Sequence, residues 1–125
     1  MARAKKARIN YVELPAADTA VSRAFYASAF GWSFTDFGPT YAATLGGTGG
    51  GDVDLGLQGD ASEAPLAPLP VIEVEDLEAA LGAVEAAGGR ITRAIFAFPG
   101  GRRFQFADPA GNAMAVSTPT DTEAG

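Results

Sequence analysis

The chain has 125 residues, 47% of them hydrophobic, which suits one packed domain or two small modules sharing a core. Cysteine and histidine are absent, which excludes disulfides, thiol nucleophiles and thiolate metal sites. The net charge is −6, and an acidic surface of this kind repels phosphate backbones, so nucleic acid is not an expected partner. No apolar run is long enough to cross a bilayer, and we expect a cytoplasmic protein without a membrane partner.

The first half of the chain is predicted to form a strand, a helix and three short strands. Residues 9–14 alternate in polarity, which indicates a strand with Tyr11 and Glu13 on one face. Asp18 is a good N-cap for a helix that ends near Gly31. Three short strands are expected to follow, at residues 33–36, 41–45 and 52–57.

Large aromatic side chains surround the end of this predicted helix. We expect Phe25 and Phe30 to pack in the core, because helical spacing places Phe25 on an apolar stripe. Trp32 is predicted to form a wall of a ligand site, with core packing as the alternative.

The second half repeats this order, since Asp76 follows Asp18 by 58 residues and again precedes a helical stripe. An internal repeat of two modules is the main structural inference, each module running strand, helix, strand, strand, strand. The predicted divisions are a basic flexible arm, the first module, a linker, the second module and a disordered tail, at residues 1–8, 9–59, 60–68, 69–117 and 118–125.

Residues 100–116 are predicted to form two strands and a turn, with two faces of different chemistry. Phe104 and Phe106 alternate with Arg103 and Gln105, the period of two expected when one face packs on a core. The small Ala115 on the second strand falls on the face of Arg103, which indicates room beside an arginine. This face is a candidate binding site, and the alternative is an ordinary hairpin with a solvated polar face.

Four segments together carry a family resemblance: INYVEL before Asp18, FYASAFGW, VIEVEDLEAALGAVEAAGG and GGRRFQFADPAGNAMAV. Over residues 9–117 the chain resembles the vicinal oxygen chelate superfamily of glyoxalases, fosfomycin and bleomycin resistance proteins and extradiol dioxygenases. The resemblance implies an α+β fold in which two paired βαβββ modules form a curved mixed sheet around a concave cavity. It also implies a homodimer, and it leaves open whether the modules pair within one chain or by swapping between chains.

The resemblance also indicates where metal-dependent members carry their ligands. The corresponding positions hold Tyr11, Leu69 and Ala115, none of which is an effective ligand for a divalent metal, and Asp54 is the one remaining carboxylate. One carboxylate cannot make the three or four bonds that Zn²⁺ or Fe²⁺ requires. We therefore predict no metal and no cofactor.

Three functions are considered on this basis. The first is binding of a small organic molecule in a metal-free cavity. The second is a metal-independent isomerase or lyase in which Glu13 or Glu73 removes a proton and Arg103 holds a carboxylate or enolate oxygen. The third, a metal-dependent glyoxalase-like lyase, requires ligands that the chain lacks. The predicted ligand-binding residues are Tyr11, Glu13, Trp32, Glu73, Phe96, Phe98, Arg103, Gln105 and Ala115.

Overall fold

The structure is a computed structural model that describes residues 7–119. It divides into two compact units. The first unit contains residues 10–69, and the second contains residues 70–119 together with residues 7–9. No helix in the described part of the chain is long and apolar enough to cross a membrane.

The first unit has a helix and a four-stranded mixed sheet. β1 runs parallel to β4, whereas the β4–β3 and β3–β2 pairs are antiparallel, which gives the strand order β2-β3-β4-β1. A 3₁₀ turn at Thr48–Gly50 lies between β3 and β4. The elements are β1 (Arg8–Pro15), α1 (Thr19–Phe30), β2 (Thr35–Asp36), β3 (Tyr41–Ala43) and β4 (Asp54–Gln58).

The helix α1 begins and ends at the predicted residues. The Asp18 side chain accepts a hydrogen bond from the Val21 backbone N–H at 3.1 Å, and Gly31 ends the helix at a φ of 75° that favours glycine. On the helix side of the sheet, the core of this unit consists of Ala16, Leu55 and Leu57, with Val12, Leu14, Tyr26, Trp32 and Phe34 packed against it.

The prediction that Phe25 and Phe30 pack in the core is wrong, because these side chains are 58% and 59% exposed. The helix is rotated relative to the predicted stripe. Arg23 lies towards β2, where its guanidinium donates hydrogen bonds to the Asp36 carboxylate at 3.0 Å and to the Phe34 carbonyl at 3.3 Å. The sides of this alanine-rich helix differ little in hydrophobicity. The contacts of Arg23 and the packing of Tyr26 therefore determine which side faces the sheet.

The second unit repeats the same topology. β5 runs parallel to β8, whereas the β8–β7 and β7–β6 pairs are antiparallel, which gives the order β5-β8-β7-β6. The core lies between α2 and the sheet and contains Val74, Leu77, Ala80, Phe104 and Val116. The elements are β5 (Leu69–Glu73), α2 (Leu77–Ala86), β6 (Arg90–Phe98), β7 (Gly101–Ala107) and β8 (Ala113–Pro119).

Two aspartates fix the ends of elements in this unit. Asp76 caps α2 by accepting a hydrogen bond from the Ala79 N–H at 3.0 Å. In the turn between β7 and β8, Asp108 accepts hydrogen bonds from the backbone N–H groups of Ala110 and Asn112 at 2.9 and 2.8 Å. The Asp-Pro-Ala-Gly-Asn segment is therefore a side-chain-stabilised turn.

The α+β class and the internal βαβββ repeat are confirmed. β2 and β3 are shorter than predicted, since β2 has only two residues and β3 three. Arg8 belongs to β1 rather than to the predicted arm, and β8 continues to Pro119. Residues 1–6 of the predicted arm and residues 120–125 of the predicted tail lie outside the described residues, and the predicted domain divisions stay a prediction.

Candidate functional site

The sheet of the second unit has one face against α2 and another that we call the helix-distal face of this unit. Alternation along the strands and the cross-strand pairs define it. Arg103 pairs with Ser117 and with Phe96 and lies on this face, whereas Arg102 lies on the helix side. There the Arg102 guanidinium donates to the Glu78 carboxylate at 2.6 and 3.3 Å. The predicted alternation of Arg103 with Phe104, which packs in the core against α2, is therefore confirmed.

A second arginine joins Arg103 on the helix-distal face. The register of β6 against β7 shifts between Arg93 and Phe96, as at a β-bulge. Residues three apart lie on opposite faces of a regular strand, but the shift turns Arg93 to the face of Phe96. The Arg93 guanidinium carbon lies 3.6 Å from the Phe96 ring centre, and that of Arg103 lies 5.6 Å from it. Two cationic groups therefore flank one aromatic ring.

Four other predicted residues lie on this helix-distal face. Gln105 pairs with Ala115 across β7 and β8, and Phe98 has its ring centre 5.9 Å from the Arg103 guanidinium carbon. Ala115, the cross-strand partner of Gln105, is fully buried. Glu73 is on the same face and forms an ion pair with Arg8, the N···O distance being 3.8 Å. The partner of Glu73 is therefore Arg8, a residue that was predicted to lie in a flexible arm.

The first unit also has a helix-distal face, and two tyrosines meet on it. Tyr11 pairs with Asp54 and Tyr41 pairs with Gln58, so the two rings flank Gly56 on β4. Their hydroxyls form a hydrogen bond with each other. A Cβ atom at position 56 would collide with both hydroxyls. The glycine therefore provides the space in which the hydroxyl pair forms.

Burial is the main reason that the pKa of Tyr11 is raised far above its usual range. The Tyr41 hydroxyl and the carboxylates of Glu13 and Asp54 act in the same direction. Tyr11 is therefore a neutral phenol that donates or accepts hydrogen bonds at every physiological pH. Glu13 is only 4% exposed and lies opposite Gly56 on the neighbouring strand, so a buried acid adjoins the hydroxyl pair.

Asp54 anchors the loop that precedes it. One of its carboxylate oxygens accepts hydrogen bonds from the Thr44 hydroxyl at 2.6 Å and from the Gly47 backbone N–H at 2.7 Å. The Thr48 hydroxyl and backbone N–H both donate to the Val53 carbonyl within the same loop. The glycine-rich segment is therefore held in place by hydrogen bonds of its own.

Trp32 is the predicted site residue whose placement differs most from expectation. Its ring stacks on those of Tyr26 and Phe30, with centres 5.8 and 5.2 Å apart, and it packs against the helix-side core of the first unit. This placement favours the packing alternative, so we leave Trp32 out of the proposed site. Arg93, Tyr41 and Gly56 were not predicted as site residues, because a bulge and a three-residue strand set their orientation.

The model of the glyoxalase/bleomycin resistance protein/dioxygenase superfamily matches residues 8–116. The chain belongs to this superfamily. No curated protein matches the chain. The superfamily assignment agrees with the βαβββ repeat and with the resemblance seen in the sequence.

Several solved structures share the superfamily fold. The NAD-dependent benzaldehyde dehydrogenase from Legionella pneumophila is 16% identical, with a TM-score of 0.72 over 89% of this chain and 99% of that one. Methylmalonyl-CoA epimerase from Mycobacterium tuberculosis is 17% identical, with a TM-score of 0.72 over 93% and 90%. The Mn(II)-bound glyoxalase from Novosphingobium aromaticivorans is 22% identical, with a TM-score of 0.62 over 94% and 40%. At these identities the likeness shows the fold alone.

The residues at the expected ligand positions of the superfamily do not fit a divalent metal. Tyr11 is a neutral phenol bound to Tyr41, Leu69 and Ala115 have no donor atom, and Asp54 is committed to its loop. Within residues 7–119, no group of three or more acidic side chains is arranged to hold a metal ion. These side chains do not form a metal site of the kind the superfamily uses.

Proposed function

We propose that this protein binds a small aromatic anion on the helix-distal face of the second unit, without a metal ion. The observation that carries the proposal is the convergence of Arg93 and Arg103 on the Phe96 ring. The whole chain is acidic, with a net charge of −6, so a cationic cluster beside an aromatic ring is a local exception to its surface chemistry.

The proposed contacts follow from the chemistry of these groups. A guanidinium group binds a carboxylate through paired, charge-assisted hydrogen bonds. Phe96 and Phe98 provide apolar surface on which a planar ring packs, and Gln105 offers both a hydrogen-bond donor and an acceptor. A few polar groups beside aromatic side chains are the usual composition of a small-molecule site. Substituted benzoates combine the two features and are the simplest probes.

Calorimetric titration of wild type and variants with a panel of substituted benzoates tests the proposal. Loss of a charge-assisted hydrogen bond costs roughly 1.5–3 kcal/mol, so Arg103→Ala should weaken binding about 10- to 150-fold. Arg93→Ala should weaken it in the same direction. Arg102→Ala is the matched control, because its side chain lies on the helix side with Glu78, and it should stay within about threefold. Equal losses at Arg102 and Arg103 would contradict the proposal.

Metal independence is tested separately. Elemental analysis of the purified protein should find no stoichiometric divalent metal, and a chelator should leave benzoate affinity unchanged. About one equivalent of Zn, Mn, Ni or Fe per chain, removable with loss of binding, would show that this part of the proposal is wrong.

A second candidate function is metal-independent proton abstraction by a buried glutamate. Glu13 favours it, because this acid is almost fully buried beside the hydroxyl pair, whereas Glu73 is in an ion pair with Arg8. Exchange of the α-protons of a simple ketone in D₂O, followed by NMR, is the test. Glu13→Gln should abolish protein-dependent exchange and Glu73→Gln should not. No exchange above the buffer rate in wild type would reject this candidate.

We also propose that the protein forms a homodimer through the exposed side of α1. Val21, Phe25 and Phe30 leave apolar surface there, and the one charged side chain of the helix, Arg23, is bound to Asp36. Two copies of an acidic chain can meet at this uncharged side without bringing like charges together. Light scattering should give the dimer mass for wild type and for Leu66→Glu, an exposed control, and the monomer mass for Phe25→Glu. A monomeric wild type would contradict this proposal.

A further inference from the structure

We propose that the paired hydroxyls of Tyr11 and Tyr41 bind a neutral carbonyl oxygen of a small molecule on the helix-distal face of the first unit. This site uses none of the residues assigned to the aromatic anion. The ligand group is a carbonyl oxygen and not an anion. This inference can be tested independently of the function proposed for the second unit.

The glycine beneath the hydroxyls is explained by their close approach. Gly56 lies in the middle of β4 and is absent from the glycines with positive φ, so its backbone angles do not require glycine. Glycine weakens a strand interior, and it recurs where another group approaches the backbone closely. The approaching groups here are the two phenol rings, because a Cβ at this position would collide with both hydroxyls. Gly56 weakens β4, but it leaves the space in which the two hydroxyls lie together.

The two hydroxyls are held in position before any ligand binds. Tyr11 and Tyr41 extend from β1 and β3, the strands on either side of β4, and each is fixed by its strand register. The hydroxyls converge through their mutual hydrogen bond, which already uses one of the two O–H groups. A ligand oxygen beside the pair therefore meets the remaining O–H donor, and one that replaces the mutual bond meets both. Donors that are already oriented bind an acceptor with little loss of conformational freedom.

The charge around the pair selects a neutral oxygen. Glu13 lies opposite Gly56 and Asp54 lies opposite Tyr11, so two carboxylates share this face with the hydroxyls. A carboxylate or phosphate ligand would meet like charge at short range, whereas a ketone or amide oxygen would accept a hydrogen bond without that penalty. The preferred ligand group in the first unit is therefore the opposite of that in the second unit, where arginines dominate.

Acetophenone labelled with ¹³C at its carbonyl is the probe. Affinity is measured by ligand-observed NMR, and the C=O stretching frequency of the bound probe by isotope-edited infrared spectroscopy. Loss of one neutral hydrogen bond should weaken binding about 2- to 12-fold in Tyr11→Phe and in Tyr41→Phe. The stretching frequency should rise in both variants, since a weaker hydrogen bond leaves the carbonyl less polarised.

Two variants serve as controls. Tyr26→Phe removes the hydroxyl of the third and last tyrosine of the chain, which stacks on Trp32 in the core, and should leave affinity and frequency unchanged. Arg103→Ala should also leave both unchanged while it weakens benzoate binding, which separates this site from the proposed anion site.

Several outcomes would overturn the inference. One is that wild type does not bind acetophenone. Another is that Tyr26→Phe loses as much acetophenone affinity as Tyr11→Phe. A loss of affinity without any rise in frequency would equally reject it, because a hydroxyl pair with a purely structural role acts on folding and not on the carbonyl bond.

Discussion

The two units place different chemistry at equivalent positions of the same topology. Glu13 pairs with Gly56 in the first unit as Val71 pairs with Ala115 in the second. Gln58 on β4 and Ser117 on β8 are also equivalent. Gln58 pairs with Tyr41 on β3, whereas Ser117 pairs with Arg103 on β7. The first unit thus presents neutral hydroxyls beside carboxylates, and the second unit presents guanidinium groups beside aromatic rings.

The difference shows which parts of the repeat serve the fold and which are free to serve function. Both helices start at a capping aspartate, and both sheets bury aliphatic or aromatic side chains on the helix side. The helix-distal positions carry no such shared pattern, because packing against the unit's own helix does not constrain them. Differences between equivalent helix-distal residues are therefore the best guide to the site.

Substitutions at the equivalent positions 56 and 115 should have the largest effect on this comparison. Gly56→Ala adds a methyl group into the space of the hydroxyl pair, and overpacking of this kind costs about 1–3 kcal/mol of unfolding free energy. Ala115→Gly removes a buried methyl group and should cost about 1 kcal/mol. Urea unfolding of both variants gives the two values.

The double variant Tyr11→Leu/Gly56→Ala sharpens this test, because it copies the combination of Leu69 and Ala115 found in the second unit. Its free energy of unfolding should fall by about 1 kcal/mol less than the sum of the two single changes, since the clash with the Tyr11 hydroxyl is removed and only the clash with the Tyr41 hydroxyl stays. If the loss in the double variant equals the sum of the two single losses, Gly56 is not required by the Tyr11 hydroxyl.

The sequence predicted most of the fold, because the signals that define the repeat are local. A capping aspartate, a glycine at a helix end and the alternation of Arg103 with Phe104 each depend on a few neighbouring residues. The same alternation correctly placed Arg103 on the face opposite Phe104. The burial of α1 could not be predicted in this way, because the contact of Arg23 with Asp36 joins a helix to a two-residue strand.

The candidate site was predicted only where regular alternation continues. Arg103, Gln105 and Glu73 lie on the expected face because β5 and β7 pair without interruption. Arg93 was missed because the register shift in β6 turns its side chain, and alternation alone does not reveal a bulge. The role of Gly56 was hidden because it depends on two residues from other strands.

The helix caps provide a comparison of intermediate size. Asp18→Ala and Asp76→Ala each remove one hydrogen bond to a backbone N–H in the first turn, and each should cost about 1 kcal/mol. Equal losses in urea unfolding are expected, because the caps are equivalent in the repeat. Asp18→Asn and Asp76→Asn should retain most of the stability, since asparagine also caps well. A loss of stability in only one of the two Asp→Ala variants would contradict the equivalence of the caps.

The smallest effect concerns one turn aspartate in each unit. A hydrogen bond from Ser62 lowers the pKa of Asp60, and one from Asn112 lowers the pKa of Asp108, relative to an ordinary value of 3.8. A lowered folded pKa means that each carboxylate stabilises its turn above the ordinary value, and that this contribution is lost as the pH falls through the folded pKa. In ¹³C NMR titrations of the carboxyl groups, Ser62→Ala should raise the pKa of Asp60 alone, and Asn112→Ala that of Asp108 alone. A change at the aspartate of the other unit would show that the two turns are coupled, which the separate hydrogen bonds of these turns do not predict.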